Sequence, residues 1–499
     1  MAVNAPIQSL RSTYDKLFIG GEWVEPSAGF EAVINPATEE TVGSAPLGSV
    51  ADTERAIAAA YRAFEEGTWR DEDRNARADR MQLVLDLVAA RREDAAGLMQ
   101  LEMGFTRLQC EMQLGLLMVQ LAKAVEIARK DPIRSLPLII SDRLGGGGRT
   151  LGGAVVTRDP VGVVSAITPY NSGFLLGLIK AFPAMAAGNT VVLKPSPFTP
   201  LQTMLIAEIV AAADLPPGVF NVVTGGLEVG QMLSTDRRID MVSFTGSDAV
   251  GAMVMAQASP TLKKVQLELG GKSPIVIRHD ADLEMAVAQA LFGSMFQAGQ
   301  GCSLTTRMLV DNRIRPQFVD ALATAASRVK VGDPYDPQTF MGPLIREAAR
   351  ARTQDFCRKA LDDGARLVVG GKRPAGLDKG FFFEVTIFDD VANDSHLGQR
   401  EVFGPIAAVI GFDDDAEAIR LANASDYGLG GAIVSRDKAT AFEMALKMRT
   451  GQVQINGGPG GFHPDMPFGG YKRSGLGREW GEEGFNEFTE VKAIGFPAG

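Results

Sequence analysis

The sequence predicts an α/β protein with two parallel-sheet units and a small β element beside them. Three observations predict it. From Thr190 onward, short β-rich runs alternate with apolar segments of helix length, the βαβ pattern of a parallel sheet. The alternation restarts after Gly270-Gly271, which places a unit boundary near Gly270. Between Leu136 and Pro160, two short β-rich runs flank a glycine cluster, the pattern of a hairpin excursion.

Residues 74–121 are rich in Ala, Arg, Leu and Met at near-helical spacing, and Gly104 interrupts them, so two helices are expected. The hairpin that follows can pair with another subunit or lie on the surface of one chain. TVVLK at Thr190–Lys194 is a strand. Thr199 is expected to cap the next helix, with Pro200 at its first position. Pro216, Pro217 and Gly218 end that helix, and VFNVV is the next strand. DMVSF at 240–244 is another, followed by Thr245-Gly246-Ser247 and a helix to about Ser259. In the second unit PIVI is a strand, Asp282 caps a helix, MLV is a strand, and a further helix covers 314–329.

Composition limits the function. The 499 residues carry 60 acidic against 50 basic side chains, a net charge of −10 without long runs of either sign. Such a chain has no basic stripe for nucleic acid. It can still bind an anionic cofactor through backbone N–H groups. Three cysteines, Cys110, Cys302 and Cys357, point to a reducing compartment rather than a disulfide framework. The three histidines are far apart and CxxC and CxxH spacings are absent, so no metal site is expected. The first residues have no apolar signal region and no run of 18 apolar residues occurs; a cytoplasmic protein without membrane contact is expected.

Several residues could do chemistry. Cys302 follows Gln297-Ala298-Gly299-Gln300-Gly301, a glycine-flanked segment that can expose both thiol and backbone N–H to a ligand. Glu268 sits between two leucines at a strand end, where an acid can have a raised pKa and act as a general base. Asn171 follows Thr168-Pro169-Tyr170 at the end of the strand VGVVSAI, where α/β enzymes place ligands, and an amide N–H there can stabilise an oxyanion. Gly246 with Gly251, and Gly225-Gly226 with Gly230, could hold phosphate, although neither is the dinucleotide fingerprint. Taken singly, each of these residues also has an ordinary structural explanation.

Together the segments closely resemble the aldehyde dehydrogenase superfamily over nearly the whole chain. GNTVVLKPS, FTGS, LELGGKSP, the G-Q-x-C around Cys302, EVFGPI, NASDYGL and PFGG-x-K-x-SG occur in the family's order. The resemblance implies two Rossmann-like domains, one for cofactor (1–135 and 160–270) and one catalytic (271–480). It implies an oligomerisation hairpin at 136–159 with a C-terminal strand at 481–499, hence a homodimer or homotetramer. It implies NAD or NADP as cofactor and a small-molecule aldehyde as substrate. By the same resemblance Cys302 is the nucleophile and Glu268 the general base. Asn171 and the Cys302 N–H form the oxyanion hole, and Lys180 lies on a proton path. Thr168, Pro169, Lys194, Ser196, Pro197, Gly226, Gly230, Phe244, Gly246, Ser247, Leu269, Gly270, Glu401 and Phe403 would hold cofactor. Tyr170, Ser172, Phe174, Leu178, Gly301, Ser303, Phe462 and His463 would line the substrate entrance.

The chemistry fits those residue types. A thiolate makes the aldehyde carbon tetrahedral and the oxyanion hole stabilises it. Hydride then leaves, and a carboxylate activates water to hydrolyse the thioester. Some positions depart from the family. Pro197 replaces the Glu that usually binds the adenosine 2′-hydroxyl, so NADP is expected to be tolerated. Tyr170 replaces a frequent Trp, and Ser172-Gly173 and Gly301 replace bulkier residues, so a widened tunnel is expected. With no Arg, Lys or aromatic cage among the entrance positions, a neutral, fairly bulky apolar aldehyde is the expected substrate. Two alternatives stand beside this. A non-catalytic binding protein would lack Cys302, Glu268 or Asn171. A CoA-acylating semialdehyde dehydrogenase would typically lack the Glu268 carboxylate.

Overall fold

The structure, a computed structural model, describes residues 10–142, 148–458 and 460–497. The tip of the expected hairpin and both chain ends lie outside the described residues.

The first sheet has eight strands, in the spatial order Glu22–Val24, Leu17–Ile19, Phe220–Val222, Thr190–Lys194, Val163–Ile167, Met241–Thr245, Lys264–Glu268 and Gly475–Leu476. Its five middle strands are parallel. In chain order they run 3-2-1-4-5, so the winding reverses between Val163–Ile167 and Met241–Thr245. At that reversal the loops leaving two neighbouring strands diverge and open a crevice.

Both faces of this sheet are covered. Val164, Ala166, Val191 and Leu193 pack into one core with the helices Arg74–Ala90, Arg107–Ala128 and Gly173–Ala186. Val163, Ile167 and Val192 pack on the other side with the helix Val50–Glu65. Successive residues of a strand point to opposite faces, so a strand buried on both sides reads as a continuous apolar run. Each buried Val or Leu stabilises this arrangement by about 1.5–3 kcal/mol.

The second sheet has seven strands, ordered Arg366–Val369, Thr386–Asp389, Ile406–Phe412, Arg307–Asp311, Pro274–Ile277, Ala432–Val434 and Gln454–Ile455. All but the first are parallel. A separate core surrounds it. The range 271–480 does not stay with this sheet, because Gly475–Leu476 crosses back to pair with Lys264–Glu268. The strand Arg149–Pro160 runs antiparallel to Thr489–Pro497 along nine residue pairs, and Ile139–Asp142 lies on its other edge. No helix among the described residues is long and apolar enough to cross a membrane. None of their acidic, His or Cys side chains cluster to hold a metal.

Two details differ from the sequence reading. Residues 74–121 form parts of three helices, not two, because the chain also breaks at Arg91 between Arg74–Ala90 and Arg92–Met103. The readable signal was Glu93 and Asp94, acids suited to a first helical turn; Arg91 holds Asp94 at 2.5 Å. Thr199 does stand at the N-cap of Pro200–Ala212, but its side chain makes no capping bond. The fully buried Glu102 caps this helix instead, accepting from Leu201 N at 2.7 Å and Gln202 N at 3.1 Å.

Burial pushes the Glu102 carboxyl up to about 8, against the pull of those N–H donors. A group whose folded pKa is raised contributes stability that is present below its unfolded pKa and lost as pH rises through the folded value. Wild-type stability is therefore expected to fall, relative to Glu102→Gln, between about pH 4.5 and 8. Urea unfolding of both proteins across that range checks this; parallel pH profiles would refute it.

Candidate active site

The crevice at the winding reversal is a cavity of about 350 Å³. Pro169, Tyr170 and Asn171 enter it from the end of Val163–Ile167, and Gly246 and Ser247 from the end of Met241–Thr245. Glu268, Leu269 and Gly270 come from the end of Lys264–Glu268. Cys302, Glu401 and Phe403 close it from the second unit. Eleven of the residues that the sequence singled out thus meet in one space.

The segment before the nucleophile is held in an unusual shape. Gln297, Ala298 and Gly299 all have positive φ, at 55°, 54° and 73°. For an L-residue the left-handed region costs about 1–2 kcal/mol, so neighbours must enforce it. Gln300 does so: its N and Nε2 donate to Gln297 O at 3.0 and 3.2 Å, while its Oε1 accepts from Ile345 N at 3.0 Å. Gly299 is doubly required, because a Cβ there would overlap the Gly404 carbonyl oxygen. The turn delivers partly exposed Cys302 to the cavity.

Asn171 Nδ2 donates to Gln300 O at 2.9 Å. That bond fixes the amide and leaves its second N–H for a ligand. Ser172 supports the same turn, donating to Asn171 O at 2.5 Å and accepting from Gln113 Nε2 at 2.8 Å.

Carboxylates dominate the electrostatics. Glu268 is buried, and neither of its oxygens has a hydrogen-bond partner among the described residues. Burial first, then Glu479, raises its pKa well above the usual range, with Lys180 and Arg478 opposing. The Cys302 thiol is pushed up to about 12 by burial and by Glu401, Glu268 and Glu479. Glu401 is raised to about 7 by burial; its Oε1 accepts from Gly271 N at 2.9 Å, and its carboxylate occupies the space a side chain at Gly270 would need. Lys180 is fully buried, donating to Glu479 Oε1 at 2.6 Å and Ser243 Oγ at 3.0 Å.

The remaining expected cofactor residues line the C-terminal edge of the first sheet beyond the cavity. Thr168 N donates to Lys194 O at 3.0 Å. Lys194 is buried, which lowers its pKa to about 8, and its aliphatic chain passes Gly230. Ser196 and Pro197 follow on the same loop, where Ser196 Oγ accepts from Phe198 N at 3.3 Å. Gly226 opens the helix Leu227–Thr235 without a side-chain cap and faces open space. Phe244 is buried, its ring folded over Gly246.

A second cavity, of about 440 Å³, meets the nucleophile segment at Ser303 and Leu304 and is lined by Met112, Leu116, Phe292 and Phe462. His463 is exposed nearby, its Nδ1 accepting from Asp465 N at 3.2 Å. Five entrance expectations need correction. Phe174 and Leu178 are fully buried in the first core, because they fall on the inward face of Gly173–Ala186. Ser172 is buried, bonded to Gln113 and to Asn171 O, and lines neither cavity, whereas Tyr170 lines the cavity that holds Cys302, edge-on to Phe403 at 5.9 Å and Phe198 at 6.1 Å. Gly301 does not widen a tunnel, since Leu304 fills the space where its side chain would stand, at 2.8 Å.

Sequence reasoning missed Arg346 and Arg352, which line the first cavity from the start of the helix Glu347–Asp362. Among so many charged neighbours they read as a solvated helix. It also missed Glu479 as the partner of Lys180, although that residue follows four positions after the PFGG-x-K-x-SG motif.

A doubly wound sheet whose crevice, at the reversal of winding, gathers a thiol, an amide and a buried carboxylate is the frame of an α/β enzyme. The aldehyde dehydrogenase family model matches residues 23–494, and the chain belongs to that family. It is 39% identical over 487 residues to the betaine aldehyde dehydrogenase of Bacillus subtilis, covering 96% of each. Among solved structures it resembles betaine aldehyde dehydrogenase from Staphylococcus aureus in complex with NAD+, with a TM-score of 0.93 and 37% identity over 98% of this chain and 96% of that one. It also resembles a mutant aldehyde dehydrogenase C from Pseudomonas syringae in complex with NAD+ and octanal, with a TM-score of 0.89 and 38% identity over 96% of each chain.

The nucleophile turn supplies a test. Gly299→Ala is expected to lower aldehyde turnover by about 100-fold, the cost of misplacing a reacting group by an ångström, while the folded protein persists in circular dichroism. Turnover within about twofold of wild type would show that the turn does not position Cys302.

Proposed function

We propose that this protein oxidises a neutral, apolar aldehyde to its carboxylic acid with NAD as oxidant, through a thioester on Cys302. The observation that carries this reading is the convergence of Cys302, Asn171 and Glu268 on one cavity. The sheet edge suits a dinucleotide. The uncapped turn at Gly226 offers backbone N–H groups to phosphate, Lys194 and Ser196 lie where a ribose would, and Glu401 and Phe403 face the nicotinamide end. Bound there, NAD supplies the two-electron oxidant that turns a tetrahedral thiol adduct into a thioester. Pro197 leaves no carboxylate to repel a 2′-phosphate, so NADP is also accommodated.

The protein's own residues do the rest. The Cys302 thiol passes its proton to the Glu268 carboxylate as its sulfur attacks the aldehyde carbon, the free N–H of Asn171 and the Cys302 N–H hold the developing oxyanion, and Glu268 gives that proton up before hydrolysis. After oxidation, Glu268 takes a proton from water, whose oxygen attacks the thioester carbon. The carbon–sulfur bond breaks, the acid departs and Cys302 recovers its thiol proton. Glu268 is suited to this because both its oxygens are free of partners among the described residues and burial raises its proton affinity above that of an ordinary carboxylate. The Lys180–Glu479 pair behind it offers the proton a way out. A water-activating carboxylate favours hydrolysis over transfer to CoA.

Glu268→Gln is expected to release one equivalent of reduced cofactor per site in a burst and then stall as an acyl-enzyme. Stopped-flow absorbance and intact-protein mass spectrometry read both. A stalled variant with no burst and no acyl mass would remove Glu268 from the base role.

The substrate reading rests on the second cavity. Its wall of Met112, Leu116, Ile275, Phe292, Leu304 and Phe462, with the neutral polar side chains Gln289, Ser303, Thr305, Gln452 and Gln454 between them, has among the described residues no carboxylate and neither Trp nor Tyr, so it offers no cage for a quaternary ammonium. The octanal bound by the Pseudomonas syringae relative is the kind of chain such a wall would accept. Each buried methylene contributes about 0.8 kcal/mol, so kcat/KM is expected to climb from acetaldehyde through octanal. Highest kcat/KM with betaine aldehyde, succinic semialdehyde or acetaldehyde would overturn this.

Assembly follows from the small sheet. Ile139, Ile140, Val491, Ile494 and Phe496 expose apolar side chains along it, and burying them between copies of the chain would form a homodimer or homotetramer.

A further inference from the structure

A third cavity, of about 460 Å³, lies beside the strands Arg149–Pro160 and Thr489–Pro497. It shares no lining residue with the cavity at Cys302 or with the one at Ser303 and Leu304, and its volume is that of a small-molecule site. Its walls come from the start of Arg74–Ala90, the chain after Arg107–Ala128, the end of Gly173–Ala186 and the helix Gly481–Glu487, with the two strands across them.

The charge of these walls is not balanced. Five cationic side chains face two carboxylates, Asp131 and Glu482, an excess of three in a chain of net charge −10. Some of the cations have structural work. Arg77 donates to the carbonyl of Ala186 at 3.2 Å and to those of Trp69, Arg70 and Glu72. Lys130 pairs with Glu482 at 3.3 Å. The others are under-used. Arg74 reaches Lys130 O and Asp131, but its Nε is buried with no acceptor. Arg158 donates to Thr489 Oγ1 at 3.0 Å and, like Arg134, forms no ion pair among the described residues. Much of the remaining lining is apolar, including Ile127, Val156 and Phe485, and beside such surface a charge-assisted hydrogen bond is strong and a missing one costly.

We infer that this cavity is a second ligand site, for a small multivalent anion whose carboxylate or phosphate groups are held by Arg74, Arg134 and Arg158. Guanidinium groups match both head groups bidentately. The site stands independently of the chemistry at Cys302. It nevertheless touches the far ends of two elements that serve the catalytic cavity: Gly173–Ala186 carries Lys180, and Gly481–Glu487 begins two residues after Glu479.

Titration calorimetry of the full-length protein, saturated with NAD so that the cofactor's phosphate subsite is filled, tests this with citrate and inorganic pyrophosphate as separate probes. One probe or both should bind once per subunit. Tighter citrate identifies a carboxylate ligand and tighter pyrophosphate a phosphate ligand. The double variant Arg134→Gln/Arg158→Gln changes two side chains exposed on the single chain, on the small sheet assigned to assembly, and should keep both the wild-type melting temperature and the wild-type oligomeric state in size-exclusion chromatography. It should weaken binding at least about tenfold, as the loss of charge-assisted contacts requires; Arg74→Gln should weaken it as well. No binding of either probe at millimolar concentration, or binding that these variants leave unchanged, would overturn the inference.

Discussion

The two halves of the active site belong to different sheets, and the hydrogen bond from Asn171 Nδ2 to Gln300 O joins them. Asn171 is fixed by the central strand of the first sheet, and Gln300 by the turn that leads to Cys302. A thiol and an oxyanion donor act on one carbonyl only if their separation is constant to within a fraction of an ångström. A direct bond between their two carriers sets that separation where it matters. The surrounding features serve the same constraint. Gln300 uses its whole side chain to hold the left-handed turn, Gly299 lets that turn pass under Gly404, and Ser172 with Gln113 steadies the Asn171 carbonyl.

The same economy governs the charges. Glu268, Glu401 and Glu479 surround one sulfur, and the protein leaves Glu268 without a partner while it pairs Glu479 with Lys180 and Glu401 with the Gly271 N–H. An unsatisfied buried carboxylate costs stability, so its persistence beside the nucleophile marks a site where structure yields to chemistry.

Local pattern made much of this legible. Strands buried on both faces announced themselves as apolar runs, so Thr190–Lys194 and Pro274–Ile277 were readable to the residue. The motifs carrying Cys302, Glu268 and Asn171 were readable because each ends a strand or follows a glycine turn. Long-range partners were not. Nothing near Glu102 announces that it caps a helix about a hundred residues away, and nothing near Gly301 announces Leu304 folded against it. Phe174 and Leu178 were misplaced because helical spacing tells which residues share a face but not which face looks inward. Arg346 was invisible because an arginine beside a polar helix is ordinary until the fold turns it towards a crevice.

The surroundings that raise the pKa of the Cys302 thiol also bear on its reactivity towards oxidants. Peroxides and alkylating electrophiles attack thiolate rather than thiol. A free cysteine is ionised to a few per cent at neutral pH, and a thiol pushed up to about 12 far less. Burial first, and then the carboxylates that prepare the site for hydrolysis, disfavour the oxidisable thiolate form of Cys302 between turnovers.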